Sequence, residues 1–139
     1  MTVFYYTDLD VWQKSMDLSV DVYKAVKILP QEELFGISNQ MRRAVVSIPS
    51  NIAEGQQRNS TREFLHFLYV AKGSLAELET QIKLCERLGY FEKQDTNKLL
   101  SDCAQTGRML NGLINRLYMK LDEKQQSDRK GGENPTTDH

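Results

Sequence analysis

The segment NQMRRAVVSIPSNIAEGQQRNSTRE, residues 39–63, sets where the second helix of this chain ends and the third begins. Apolar residues recur every three or four positions in its first half, which predicts a helix over about residues 36–53 with one buried face. Pro49 lacks an amide to bond the Val45 carbonyl, so we expect the helix to kink or break there. Gly55 is expected to end it.

The last residues of the same segment predict the start of a third helix. Ser60 and Glu63 have capping-box spacing, in which the Ser60 oxygen accepts from the Glu63 amide and the Glu63 side chain reaches back. Apolar residues then alternate at spacings of four and three, which is typical of a heptad seam. The seam consists of Phe64, Leu68, Ala71, Leu75, Leu78, Ile82 and Cys85. Gly89 suits the left-handed cap that often follows a helix.

Two further helices flank these. The first is predicted over about residues 8–29, before Pro30, and its apolar stripe comprises Trp12, Met16, Tyr23 and Val26, widened by Leu18, Val22 and Leu29. The fourth is predicted over about residues 95–121, with a seam of Leu100, Cys103, Gly107, Leu110, Ile114, Leu117 and Leu121. Four such helices with short connections predict an all-α fold, an antiparallel up-down-up-down four-helix bundle.

Composition limits the domain organisation and the class of function. The chain has 139 residues and a net charge of -1, which does not suit a protein that coats nucleic acid. Residues 1–121 are predicted to form the bundle, and the charged residues 122–139 a disordered C-terminal tail. No apolar run has the length of a membrane span and no signal segment precedes the first helix, so a cytoplasmic protein is expected. Cys85 and Cys103 are interpreted as small core hydrophobes.

Four arginines, Arg42, Arg43, Arg58 and Arg62, lie in a segment with one acidic residue, Glu54. Two interpretations remain open. Arginine side chains match phosphate geometry and would contact a structured RNA, or they pair with internal or neighbouring-subunit carboxylates. Adjacent residues of a helix point about 100° apart, so the first two arginines do not share one role easily.

Other polar residues of the same segment predict a buried structural network. It consists of Gln40, Ser47, Asn51 and Glu54. Asn51 would satisfy backbone groups freed near Pro49, and Glu54 would pair with an arginine. On this interpretation Glu54→Ala leaves a buried partner unpaired and destabilises the fold by about 2–4 kcal/mol.

Catalytic and metal-binding patterns are weak. Glu63 and His66 have a spacing used in di-iron bundles, but such sites need a second copy and two more glutamates. No metal, cofactor or enzymatic activity is therefore expected. Several apolar residues of the third helix lie off its seam and predict a subunit interface, with a wide core-facing stripe as the other interpretation. The predicted interface residues are Leu65, Phe67, Tyr69 and Val70.

The chain resembles the four-helix-bundle family of 23S ribosomal RNA intervening-sequence proteins, which is related to the accessory variability determinants of diversity-generating retroelements. The residues that carry the resemblance are Trp12 and Tyr23, QMRRAVVSIPSNIAEG at 40–55, Arg58, residues 64–67, GSLAELE at 73–79 and LGY at 88–90. The resemblance implies a four-helix bundle, a ring-like homopentamer and no known catalysis. It covers about residues 11–121. The family name reflects gene location, so structured RNA and an unidentified protein both stay open as partners.

Overall fold

The computed structural model describes residues 5–132. Its four helices are α1 Asp10–Val26, α2 Ile37–Gln56, α3 Thr61–Arg87 and α4 Lys93–Gly132. Single turns of 3-10 helix, Tyr6–Asp8 and Gln31–Glu33, precede α1 and α2. No strand occurs between residues 5 and 132, so the predicted all-α fold is confirmed.

The helices pack around one apolar core. α1 contacts α2 and α4, and α3 also contacts α2 and α4, so each helix has two neighbours and the four form a bundle. The largest fully buried apolar side chains come from all four helices, namely Leu18, Met41, Ile48, Ile52, Leu68, Leu78, Ile82 and Leu110. At the edge of the α1–α4 contact, Lys14 Nζ lies 3.2 Å from Asp102 Oδ1. None of the helices described is long and apolar enough to cross a membrane.

The expected break at Pro49 does not occur, because α2 continues through it to Gln56. The Val45 carbonyl, which has no amide partner at Pro49, is approached from α1 instead. The Ser19 hydroxyl lies 3.4 Å from the Val45 carbonyl oxygen and 2.8 Å from the Ser15 carbonyl oxygen. The shorter distance is to Ser15, and Ser19 is also the α1 hydroxyl within reach of the carbonyl that Pro49 leaves without an amide.

Gly55 does not end α2, contrary to the prediction. It is buried inside the last turn, where α2 passes close to the start of α3. A Cβ atom at this position would lie 2.8 Å from the Cβ of Phe67 and 3.0 Å from the ring of Phe64. Glycine is therefore required here by the approach of two helices rather than by helix termination.

Both ends of α3 follow the sequence prediction. The Glu63 amide donates to Ser60 Oγ at 3.1 Å, while the Glu63 carboxylate accepts from the Ser60 hydroxyl at 3.2 Å instead of reaching the Ser60 amide. At the other end Gly89 has a φ of 80°. The Gly89 amide donates to the Glu86 carbonyl and the Tyr90 amide to the Cys85 carbonyl, the pair of bonds of a Schellman cap.

The turn after α3 is also attached to the α1–α2 connection. The Tyr90 hydroxyl donates to Glu33 Oε2 at 3.0 Å. This hydrogen bond, followed by burial, raises the pKa of Tyr90 above its ordinary value. Two loops at one end of the bundle are therefore held together by a single side-chain contact.

The core-facing stripe of α1 differs from the prediction. Its buried residues are Val11, Ser15, Leu18, Ser19, Val22 and Val26. Met16 and Tyr23, which the periodicity places in the core stripe, are 40% and 43% exposed. Two buried serines occupy core positions because their hydroxyls bond carbonyls within the bundle, which leaves larger apolar side chains on an outer face.

The fourth helix is longer than predicted. Leu121 is the last of the described residues that packs against the core. Residues 122–132 continue as helix where a disordered tail was predicted. Every side chain from residue 122 to residue 131 is exposed, so this extension has no apolar contact with the bundle. Residues 133–139 of the predicted tail lie outside the described residues.

Candidate functional site

Two of the four candidate RNA-binding arginines have partners within the chain. Arg42 Nη2 donates to the Leu34 carbonyl at 3.3 Å. Arg58 Nη2 lies 2.7 Å from Glu54 Oε2, and its guanidinium carbon lies 4.9 Å from the centre of the Phe67 ring. Arg58 thus has the internal carboxylate partner of the structural interpretation, whereas Arg42 bonds a backbone carbonyl.

Arg43 and Arg62 are exposed, and no ion pair within residues 5–132 engages either of them. The four arginines do not form one patch. Arg42 and Arg58 are 16 positions apart, which corresponds to about 24 Å along a helix of 1.5 Å rise per residue. Any phosphate contact by one copy of the chain would involve two separate positions.

The structure brings together Ser47 and Asn51 of the predicted polar network. Asn51 Nδ2 donates to the Ser47 carbonyl at 2.7 Å and to Ser47 Oγ at 2.9 Å. Ser47 Oγ in turn lies 2.8 Å from Ser74 Oγ on α3. Sequence reasoning missed Ser74 because it lies on another helix, and only the rotation of α3 about its axis makes it a partner.

The other two residues assigned to that network lie elsewhere. Gln40 is exposed, and so is Glu54, whose side chain is 54% accessible beside an Arg58 side chain that is 43% accessible. The predicted burial of Glu54 is therefore wrong. Water screens an exposed ion pair, and at this helical spacing such a pair contributes about 0.3–0.5 kcal/mol to stability. Glu54→Ala should therefore destabilise the fold far less than the loss of a buried ion pair would.

The four residues of the predicted subunit interface also differ in their exposure. Leu65 is 5% exposed and belongs to the core of the single chain, so its assignment to an interface is wrong. Phe67 is half-buried next to Gly55 and Arg58. Tyr69 and Val70 remain exposed, and the Tyr69 hydroxyl lies 3.1 Å from the hydroxyl of Tyr118 on α4.

A larger exposed apolar surface lies on the outer side of α1 and α2. We call it the α1–α2 patch, and it consists of exposed Met16, Val20, Tyr23 and Val46 with the partly buried Trp12 beside them. Two shallow depressions that share Met16 and Ser19 run along it, and Pro49 forms part of the wall. Sequence reasoning placed part of this patch in the core, because helical spacing identifies an apolar face without showing what covers it.

The groups with catalytic potential are held by structural contacts or by burial. Burial raises the pKa of the Cys85 thiol to about 11 and that of the Cys103 thiol to about 12. The Glu63 carboxylate accepts from the Ser60 hydroxyl at the start of α3, and exposed His66 packs edge-to-face against Phe67. Between residues 5 and 132, no three His, Cys, Asp or Glu residues are grouped so that they could hold a metal ion.

Comparisons with known proteins match the chain both to a family model and to solved structures. A family model described as 23S rRNA-intervening sequence protein matches residues 7–112. A crystal structure of a protein of unknown function from the S23 ribosomal protein family of Bacteroides thetaiotaomicron is similar, with a TM-score of 0.71 and 27% sequence identity. The similarity covers 76% of this chain and 95% of that one. No curated protein matches the sequence.

Proposed function

Because this chain belongs to the 23S rRNA-intervening sequence protein family, we propose that it is a non-catalytic, homo-oligomeric binding protein. The observation that carries the proposal is the α1–α2 patch. Contiguous apolar surface of this kind on a helical bundle marks a site of association. The resemblance noted in the sequence gives a ring of five copies as the expected assembly.

The non-catalytic part of the proposal is supported by the roles of the reactive side chains. Glu54 pairs with Arg58, and the Glu63 carboxylate accepts a hydrogen bond from the hydroxyl of Ser60, the residue that caps α3. The thiols of Cys85 and Cys103 have raised pKa values, so little thiolate exists near neutral pH to act as a nucleophile. Each group is therefore explained by folding.

Light scattering on the purified protein tests self-association. The expected mass is a multiple of the 16.0 kDa chain. Val20→Glu places a charge in the α1–α2 patch and should shift the mass towards one chain, because an unpaired charge is costly to bury. Val70→Glu makes the same change at an exposed valine of α3 and tests the surface that the sequence pattern predicted as the interface.

Two results would contradict this assignment. A mass of 16.0 kDa for the unsubstituted chain would remove self-association altogether. Dissociation by Val70→Glu alone would place the interface on α3, where the sequence pattern predicted it. Circular dichroism melting of both variants separates dissociation from unfolding.

A second candidate function is contact with RNA. The observation in its favour is the exposure of Arg43 and Arg62 without an internal ion pair among the described residues. An oligomer would repeat this modest charge and so raise avidity without requiring a basic chain.

Fluorescence anisotropy with a labelled RNA hairpin, titrated across salt concentrations, tests this second candidate. Affinity is expected to fall steeply with salt, because phosphate contacts release counterions, and to weaken in the Arg43→Ala/Arg62→Ala double variant. Absence of binding at low salt would leave a protein-binding scaffold without nucleic-acid affinity.

A further inference from the structure

An aromatic pair lies on the outer surface where α3 meets α4. The hydroxyl oxygens of Tyr69 and Tyr118 are 3.1 Å apart, and the two residues are 46% and 44% exposed. Their mutual hydrogen bond fixes the ring positions while much of each ring remains open to solvent. Neither ring is needed to fill the core, which consists of other residues of these helices.

Positive charges flank both rings. Lys72 Nζ lies over the face of the Tyr69 ring, 5.7 Å from its centre, so a base that stacks on this face displaces the flexible amine. Arg62 precedes Tyr69 by seven positions on α3, which is about two turns along the same face. Its charge opposes the rise in the pKa of Tyr118 that the hydrogen bond with Tyr69 causes. The result is a small surface of two fixed rings and two cations. We call it the tyrosine surface, formed by Arg62, Tyr69, Lys72 and Tyr118.

The simplest structural role for the pair is to join α3 to α4. A neutral hydrogen bond between exposed hydroxyls accomplishes that without cations, because neither Lys72 nor Arg62 takes part in it. Exposed aromatic faces next to cations are, by contrast, the combination that binds single-stranded nucleic acid, in which bases stack on rings and phosphates meet positive charge. Fixing the rings in advance lowers the entropy lost on binding.

We propose that the tyrosine surface binds single-stranded RNA, with bases stacked on Tyr69 and Tyr118 and phosphates next to Arg62 and Lys72. The proposal rests on the second candidate function and adds to it the strand type and the residues that contact bases. Of the four arginines singled out in the sequence, Arg62 alone belongs to this surface.

Anisotropy of the full chain with a labelled oligoadenylate RNA tests the proposal, with an abasic oligomer of equal length as the comparison. Tyr69→Ala and Tyr118→Ala should each weaken binding at least about fivefold, since each removes one stacked base contact. The double variant Tyr69→Phe/Tyr118→Phe keeps both rings but loses the hydrogen bond between them, so it should weaken binding less than either alanine substitution. Tyr5→Ala, which removes another exposed tyrosine, is the control and should have no effect.

The outcomes separate this proposal from the function on which it rests. RNA binding that is equal in the alanine variants and for the abasic oligomer would overturn base stacking while RNA contact stands. No binding of either oligomer or of the RNA hairpin would remove both. Alanine variants that lower the oligomer mass measured by light scattering would make the tyrosine surface a subunit interface and overturn the proposal.

Discussion

Gly55 shows how closely α2 and α3 approach at the level of a single residue. A methyl group there would lie 2.8 Å from the Phe67 Cβ atom, which no real contact of this type tolerates without movement. Gly73, in the interior of α3, has no other atom within 4 Å of the same hypothetical methyl group. The same substitution should therefore have opposite effects at the two positions.

We expect Gly55→Ala to destabilise the fold by about 1–3 kcal/mol, because overpacking exceeds the gain in helix propensity. Gly73→Ala should stabilise it by about 0.5–1 kcal/mol through the lower entropy of the unfolded chain. Urea unfolding followed by circular dichroism measures both. Stabilisation by both substitutions would show that α2 and α3 have room to separate.

Residues with local partners were predictable from the sequence. Ser60 and Gly89 act within a few positions along the chain, so their capping roles follow from residue type and spacing. Ser74 and Tyr118 were not predictable as partners of Ser47 and Tyr69, because each contact depends on how two helices are rotated and shifted relative to each other. Glu54 was misassigned for the same reason, since spacing alone does not show which polar residue faces solvent.

At the scale of the element, α2 remains continuous through a proline because a neighbouring helix compensates for it. Pro49 is buried and has no amide to donate to the Val45 carbonyl. The Ser19 hydroxyl of α1 lies within reach of that carbonyl. A buried carbonyl without a donor costs about 1–3 kcal/mol. The α1–α2 contact therefore stabilises the interior of α2 as well as the core.

A double-mutant cycle tests this compensation. Ser19→Ala should destabilise the unsubstituted chain by about 1 kcal/mol. In a Pro49→Ala background its cost should be smaller, because alanine, unlike proline, has an amide that can bond the Val45 carbonyl within α2. Thermal unfolding of the four proteins gives the coupling. Equal costs in both backgrounds would mean that the Ser19 hydroxyl serves only the Ser15 carbonyl.

Whole helices were predicted to different degrees. The seam of α3 follows the heptad spacing. That of α4 does so in part, because Leu100 and Gly107 are only partly buried. The core positions of α4 that the predicted seam omits include Leu99, Thr106 and Leu113. The stripe of α1 was misassigned because it has two apolar faces, and its core face includes Ser15 and Ser19. Helical periodicity shows which faces of a helix are apolar, but it does not show which of them packs against the other helices. The α1–α2 patch therefore became evident only in the structure.

At the scale of the whole molecule, the boundary of the packed unit was predictable because the sequence changes from apolar seam to charged residues after Leu121. The helical state of residues 122–132 was not predictable. A charged composition shows that a segment does not form a core, but it does not show whether the segment continues a preceding helix. Such an extension has no tertiary contact to support it, and unsupported helices of this length are marginally stable in water.

Removal of residues 122–139 tests the independence of the bundle. The free energy of unfolding should change by less than about 0.5 kcal/mol, because substitutions and deletions away from packed features have small effects. The helical signal in circular dichroism should decrease by the share of the lost turns. A drop in Tm of many degrees would show that the extension contacts the bundle or a second copy.

The ion pair between Lys14 and Asp102 has a consequence for the order of folding. Its partners are 88 positions apart, whereas α2 and α3 meet across a turn of a few residues. Closing a longer loop costs more entropy, so the α2–α3 hairpin is expected to form early and the α1–α4 contact late. Contacts formed late affect mainly the unfolding rate. The loss of this ion pair should therefore shorten the lifetime of the folded molecule and leave the folding rate almost unchanged.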